Sequence, residues 1–157
     1  MYVNSIYDIP LQKMKKIGIE GIIIDLDNTI TEWNNPYISD NAKEWFQMFK
    51  ENNFKICLAS NNNQKRVVKI ASSLGIPYIA KAGKPRRRAF KQAMKILGTN
   101  NKNTAVIGDQ VFTDILGGNR LNLFTILVVP LSTKEFFGTK IMRFVERKIL
   151  KFVVPKS

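Results

Sequence analysis

Five apolar runs, at 21–26, 54–59, 77–80, 104–107 and 124–129, alternate with segments of helical periodicity, and this alternation constrains the fold most. The runs are almost continuously apolar, which is the pattern of strands buried on both faces of a parallel sheet. Helices are expected at 8–17, 40–51, 64–74, 85–97 and 111–121, with Asp8, then Ser39 or Asp40, as caps and Gly75 as a stop signal. Strands alternating with helices specify an α/β fold: a doubly wound, Rossmann-like parallel five-stranded sheet with helices on both faces. In such sheets ligands bind outside the carboxyl ends of the strands. The 157 residues suit one domain, with a core over 18–130 and a basic tail over 134–153. No internal repeat or linker-like tract interrupts them.

Composition removes several chemistries. The chain has no histidine, which excludes Ser-His-Asp hydrolysis and histidine-based metal sites. Its single cysteine, Cys57, lies inside an apolar run, so an intramolecular disulfide and a cysteine-only zinc site are excluded too. Carboxylate, amine, hydroxyl and bound metal remain. A formal charge of +13 predicts attraction to polyanions, against the plainer reading of a basic solvated surface. No apolar run approaches the ~20 residues of a membrane span. Residues 1–10 contain Asn4 and Asp8 and lack the apolar stretch of a signal peptide. The expectation is a cytoplasmic protein, at most peripheral on the inner membrane face.

Polar residues cluster where the strands end. The run Gly-Ile-Ile-Ile-Asp-Leu-Asp-Asn-Thr-Ile-Thr over 21–31 delivers Asp25 and Asp27, one residue apart. On an extended chain these point the same way, and two such anions repel unless a cation intervenes. Ser60 and Asn61 follow the second run, Lys84 comes four residues beyond the third, and Asp109 follows the fourth, with Asp114 shortly after. Asp25 and Asp109 offer hard oxygen ligands for Mg²⁺, and Asp114 can add another directly or through water. A carboxylate beside a metal and the Lys84 ammonium can attack phosphorus, forming an aspartyl-phosphate. Ser60 and the Asn61 N–H would hold the phosphoryl oxygens. Asp27 would protonate the leaving oxygen and then activate water.

Each signal has a bland counterpart. Paired aspartates occur in ordinary turns, a serine after a strand is most often a helix cap, and a lysine before proline needs no function. The four clusters in order on successive strand ends outweigh those readings. Asp25-Leu-Asp-Asn-Thr, Ser60-Asn61, Lys84-Pro85 and Gly108-Asp109-Gln-Val-Phe-Thr-Asp114 resemble the four ordered motifs of the haloacid dehalogenase (HAD) superfamily phosphatases. The resemblance spans 21 to about 129 and is to the capless class IIIA subgroup of YqeG type. It implies Asp25 as nucleophile and Asp27 as general acid/base, with the Asp27 main-chain carbonyl joining Asp25 and Asp109 around Mg²⁺. It further implies Ser60 on the phosphoryl group, Lys84 steadying charge and Asp114 completing the acidic motif. Asn28 stands where many relatives carry glycine.

Substrate is less constrained. Only the short 28–39 loop occupies the first site of cap insertion, so an open cleft and a phosphate carried on something large are expected. In 134–153, Lys140, Arg143, Arg147 and Lys151 fall on one side of a helix, and Phe137, Ile141, Phe144, Val145, Ile149 and Phe152 share much of the other. That pattern suits an anionic membrane interface, and equally a final helix docked on the sheet. Arg86, Arg87 and Arg88, with Lys91 and Lys95 after them, place cations at a helix start, where the dipole disfavours them and an external anion would offset it. The family that the chain resembles includes eukaryotic phosphatidylglycerophosphate phosphatases, and with these features the resemblance implies phosphatidylglycerophosphate as the substrate. The alternatives are nucleic-acid ends or phosphoproteins, or a nucleic-acid- or ribosome-associated binding protein without activity.

Overall fold

Apolar strands and amphipathic helices assemble into a three-layer α/β structure in the computed structural model, which describes residues 1–132. The basic tail expected at 134–153 lies outside the described residues. In chain order the elements are β1 (Tyr2–Val3), α1 (Leu11–Lys16), β2 (Gly21–Ile24), α2 (Asp40–Glu51), β3 (Lys55–Ala59) and α3 (Gln64–Leu74). They continue with β4 (Tyr78–Ile79), α4 (Arg87–Leu97), β5 (Thr104–Gly108), α5 (Leu116–Asn119) and β6 (Phe124–Val128). All strand pairings are parallel, in the order β1-β6-β5-β2-β3-β4.

The sheet thus has six strands, one more than expected. The extra one is β1, where Tyr2 and Val3 register with Leu127 and Val128 at the sheet edge. Main-chain bonds hold it, since Leu127 N donates to Met1 O at 2.9 Å and Val129 N to Val3 O at 3.2 Å. The central strand β2 has β3 on one side and β5 on the other, so the chain reverses its winding direction there. The carboxyl ends of β2 and β5 therefore border the crevice where such folds bind ligands.

Alternation along the strands sorts the core into two layers. Ile22 and Ile24 face Phe46, Phe49, Leu58, Ile70 and Ile107, while Ile23 faces Cys57, Phe90, Ala93 and Val106. The second layer requires glycine at 117, where an added Cβ would lie 2.3 Å from the Phe90 ring. Ser39 Oγ caps α2 by accepting from Ala42 N at 3.2 Å, and Asn63 Oδ1 caps α3 by accepting from Arg66 N at 3.0 Å. Gly75 ends α3 at φ 60°.

Two expected helices differ. The 8–17 segment is a 3₁₀ turn at Ile6–Asp8 followed by α1, and Asp8 accepts from Ser5 Oγ rather than capping α1. The 111–121 segment opens as a π-helical turn, Val111–Ile115, with Ile115 N donating to Gln110 O at 3.3 Å, before the short α5. No helix among the described residues is long and apolar enough to cross a membrane.

Candidate active site

Strand ends bring Asp25, Lys84, Asp109 and Asp114 together, all buried. Asp25 leaves β2 and Asp109 leaves β5, and Asp25 N donates to Ile107 O at 2.9 Å, tying the two exits together. Asp114 turns back from the π-helical turn. Its Oδ2 accepts from Gln110 N at 3.2 Å and from Thr113 Oγ1 at 3.3 Å, which aims the other oxygen at the crevice. Thr29 Oγ1 donates to Asp109 Oδ1 at 3.3 Å. One oxygen from each of Asp25, Asp109 and Asp114 lies within 4.8 Å of the others.

Lys84 Nζ sits among these carboxylates, 2.6 Å from Asp25 Oδ1 and 2.6 Å from Asp114 Oδ1. Burial favours its neutral form, but the adjacent Asp114 and Asp25 charges outweigh this and hold its proton above the ordinary lysine range. Asp25 shows the converse. Burial pushes its carboxyl well above the usual range, Lys84 opposes that, and the Asp114 and Asp109 charges add to it. The cluster therefore carries more negative than positive charge in a buried volume.

That imbalance and the donor set fit a divalent cation. Octahedral coordination with ligands about 2.1 Å from the ion separates its oxygens by about 3–4 Å, and three oxygens already within 4.8 Å of one another can approach that arrangement. An all-oxygen set suits Mg²⁺ or Mn²⁺ over softer metals. Asp25, Asp109 and Asp114 are the residues that could hold it.

Asp27 lies beyond the last residue of β2, and its carboxylate is not part of the three-carboxylate group. It pairs with Arg66, whose Nη2 stands 2.7 Å from Oδ1, and its Oδ2 accepts from Asn62 Nδ2 at 3.0 Å.

Ser60 is buried at the end of β3, and its Oγ accepts from Asn62 N at 3.1 Å, so it shapes a turn and does not cap α3. Asn61 is exposed, and its side chain clamps the lysine loop: Lys84 N donates to Asn61 Oδ1 at 2.8 Å, and Asn61 Nδ2 donates to Lys84 O at 3.2 Å. Arg86, Arg87 and Arg88 are exposed where α4 begins, after Lys84 and Pro85. Arg66 and Asn62 were not singled out by sequence. The available signal for Arg66 was a cation in the first turn of a helix, where the dipole disfavours it.

Asp25 is buried beside one ammonium and two further carboxylates, so its charge is tolerated only when cations attend it. That is chemistry suited to phosphoryl transfer. Comparison with known proteins points the same way. Residues 32–122 match the model of the haloacid dehalogenase-like hydrolases. The chain is 44% identical over 156 residues to the probable phosphatase YqeG of Bacillus subtilis, covering 99% of this chain and 91% of that one. It is 25% identical over 164 residues to phosphatidylglycerophosphate phosphatase 1, chloroplastic/mitochondrial, of Arabidopsis thaliana, covering 95% of this chain and 46% of that protein. It thus spans less than half the length of the plant relative. Among solved structures, the fold resembles the cobalt-bound deoxy-D-mannose-octulosonate 8-phosphate phosphatase of Haemophilus influenzae, with a TM-score of 0.56, 16% identity and coverage of 87% and 90% of the two chains. An uncharacterized protein from Listeria monocytogenes gives a TM-score of 0.61 at 19% identity, covering 75% and 85%.

Proposed function

The chain belongs to the haloacid dehalogenase-like hydrolases and is a phosphatase of that family, and from this premise we propose that it is a Mg²⁺-dependent phosphomonoester hydrolase acting through an aspartyl-phosphate on Asp25. The observation that carries the reading is the buried cluster in which Lys84 Nζ lies 2.6 Å from both Asp25 and Asp114. A divalent cation held by Asp25, Asp109, Asp114 and the main-chain carbonyl of Asp27 would supply positive charge against the phosphoryl oxygens.

The chain's own residues perform the rest. Asp25 attacks phosphorus, and Lys84, fixed by Asp114, offsets negative charge beside the nucleophile. Ser60 and the Asn61 N–H hold phosphoryl oxygens. Asp27 protonates the departing oxygen and then takes a proton from the water that attacks the phospho-aspartate. Asn61 also fastens the Lys84 loop through its two hydrogen bonds, so one residue links phosphate binding to lysine placement.

For the substrate we favour phosphatidylglycerophosphate at a membrane surface. Support comes from the plant relative, from a first-motif loop too short for a cap domain, and from the exposed Arg86, Arg87 and Arg88. The basic 134–153 segment would add attraction to anionic lipid. The same exposed arginines would serve nucleic-acid ends or phosphoproteins, which is the second reading.

Phosphate release with Mg²⁺ from phosphatidylglycerophosphate, 3′-phosphorylated oligonucleotides and an aryl phosphate decides between them. Asp25→Asn should abolish all release, and activity surviving it would sink the mechanism. Turnover of oligonucleotides without lipid would favour the second reading. Flotation with anionic vesicles tests the tail: replacing Lys140, Arg143, Arg147 and Lys151 by Glu should weaken it, and unchanged flotation would remove the tail from membrane attraction.

A further inference from the structure

Asp27 accepts from four donors, and two of them belong to one side chain. Arg66 Nε and Nη2 both donate to Asp27 Oδ1, at 3.2 and 2.7 Å, and Asn34 N approaches the same oxygen at 3.4 Å. Oδ2 accepts from Asn62 Nδ2 at 3.0 Å. An ionised carboxylate has about four lone-pair sites, two on each oxygen. Oδ1 is therefore saturated, and Oδ2 keeps a site open.

The guanidinium does a second thing with its remaining hydrogens. Nη1 donates to Asn35 O at 2.6 Å and Nη2 reaches Glu32 O at 3.4 Å, so Arg66 fastens the loop after the first motif to α3. A cavity of about 260 Å³ lies between Asn34 and Pro36 on the loop side and Lys65, Lys69 and Ile70 on the helix. Close packing thus contributes little there. Besides Arg66, Lys69 stands over the Tyr37 ring at 5.6 Å. Arg66 itself is 10% exposed, with its fork spread over three acceptor groups. A lysine could not reproduce that planar fork.

We propose that Arg66 is a positioning residue for proton transfer, anchoring Asp27 through Oδ1 so that Oδ2 alone carries and delivers the proton, and locking the 32–35 loop to the same anchor. The inference rests on the reading of Asp27 as general acid/base. In the first half-reaction an Asp25 oxygen bonds to phosphorus, the phosphorus–ester bond breaks with its electron pair on the leaving oxygen, and that oxygen takes the proton from Asp27 Oδ2. In the second, water bonds to phosphorus, its proton passes to Asp27 Oδ2, and the Asp25–phosphorus bond breaks. Both transfers need the same oxygen aimed into the cleft. Neither Asn34 nor Asn62 could enforce that aim alone.

The test measures the burst of alcohol or phenol release, which reports the first half-reaction, across phosphate esters of graded leaving-group acidity. A good leaving group departs without a proton, whereas an alkoxide needs one. Arg66→Ala should slow alkyl esters by roughly 10- to 100-fold and 4-nitrophenyl phosphate by less than about 3-fold, within the 10²–10⁴ span of general-acid catalysis. Arg66→Lys should fall between it and wild type, and it carries the test if Arg66→Ala does not fold. An equal loss on every ester, leaving the leaving-group dependence at its wild-type slope, would overturn the proposal in favour of a structural role. Asp27→Asn separates the two levels. If it leaves the slope unchanged, the assignment of Asp27 fails and this inference with it. If it steepens the slope while Arg66→Ala and Arg66→Lys do not, only the role of Arg66 fails.

Discussion

Lys84 and Asp25 are 59 positions apart in sequence, and their charged atoms lie 2.6 Å apart in the buried floor of the cleft. A second contact of the same length joins Lys84 to Asp114. A buried ion pair contributes little net stability, because desolvation offsets most of the attraction. Removing one partner is another matter, since it strands the remaining charge.

Lys84→Met should therefore cost more than its loss of packing. It leaves Asp25, Asp109 and Asp114 facing one another without the ammonium that touches two of them. The expected loss is about 3–5 kcal/mol, the usual effect of stranding a buried charge. Urea denaturation without divalent metal would measure it. A midpoint within error of wild type would show that the cluster relaxes by taking up protons or water. Mg²⁺ should recover part of the loss, because a bound cation again offsets the carboxylates.

Asp25→Asn should have the opposite sign. Burial, with the Asp114 and Asp109 charges, raises the folded-state pKa of Asp25 above its unfolded value. The folded protein thus binds that proton more tightly. The associated stability is fully present below the unfolded carboxylate range and is lost as pH rises through the raised folded value. At neutral pH the unfolded carboxyl is ionised, so the cost of burying that charge works against folding, and a neutral amide of the same shape relieves it. Without metal, Asp25→Asn should melt at or above the wild-type temperature while losing all phosphatase activity. Added Mg²⁺ should stabilise wild type, by about 2.7 kcal/mol at a hundred times its dissociation constant, and stabilise the variant less. A metal-free variant melting well below wild type would contradict this electrostatic account.

Cys57 should behave as a core hydrophobe. It is fully buried in β3 within the Phe90 layer, and burial pushes its thiol up to about 12. The thiolate is the reactive form, so neither access nor ionisation favours modification near neutral pH. Alkylation with a maleimide at pH 7 should be negligible in the native protein and complete in denaturant. Rapid native labelling would mean that β3 opens locally. Cys57→Ala should leave activity unchanged.

The central sheet and much of the cleft were legible from residue patterns for identifiable reasons. Ile22, Ile23 and Ile24 are buried on both faces, and Ser39 and Gly75 stand at helix ends whose geometry they satisfy. Other features lacked a local signal. The two residues of β1 are too few for periodicity and are held by main-chain bonds to β6. The π-helical turn arises because Asp114 turns back onto Gln110 and Lys84, contacts that no helical period encodes. Asp27 lies beyond the end of β2, and the side chain that binds its Oδ1 twice, Arg66, is 39 positions away. In sequence, Gln64-Lys65-Arg66 reads as a solvated helix start. Long-range pairing decided what local pattern could not.

Gly108 offers a final check on the acidic cluster, because it places Asp114 by leaving room for it. An added Cβ would lie 2.3 Å from Asp114 Cγ and 2.4 Å from Oδ2, a separation no side chain tolerates. Gly108 is the last residue of β5 and pairs with Leu127, so the strand itself can accept alanine only if Asp114 moves. Gly108→Ala should cost about 1–3 kcal/mol, as overpacking does, and leave the sheet intact. Its larger effect should fall on the site. Displacing Asp114 breaks the 2.6 Å contact to Lys84 and removes an oxygen from the metal-binding group. Activity should fall by at least tenfold at saturating substrate, and the Mg²⁺ concentration needed for half-maximal activity should rise. Circular dichroism establishes that the fold survives, and a Mg²⁺ titration of phosphate release reads the site. A variant with wild-type Mg²⁺ dependence would show that Asp114 acts without its present contact to the cluster.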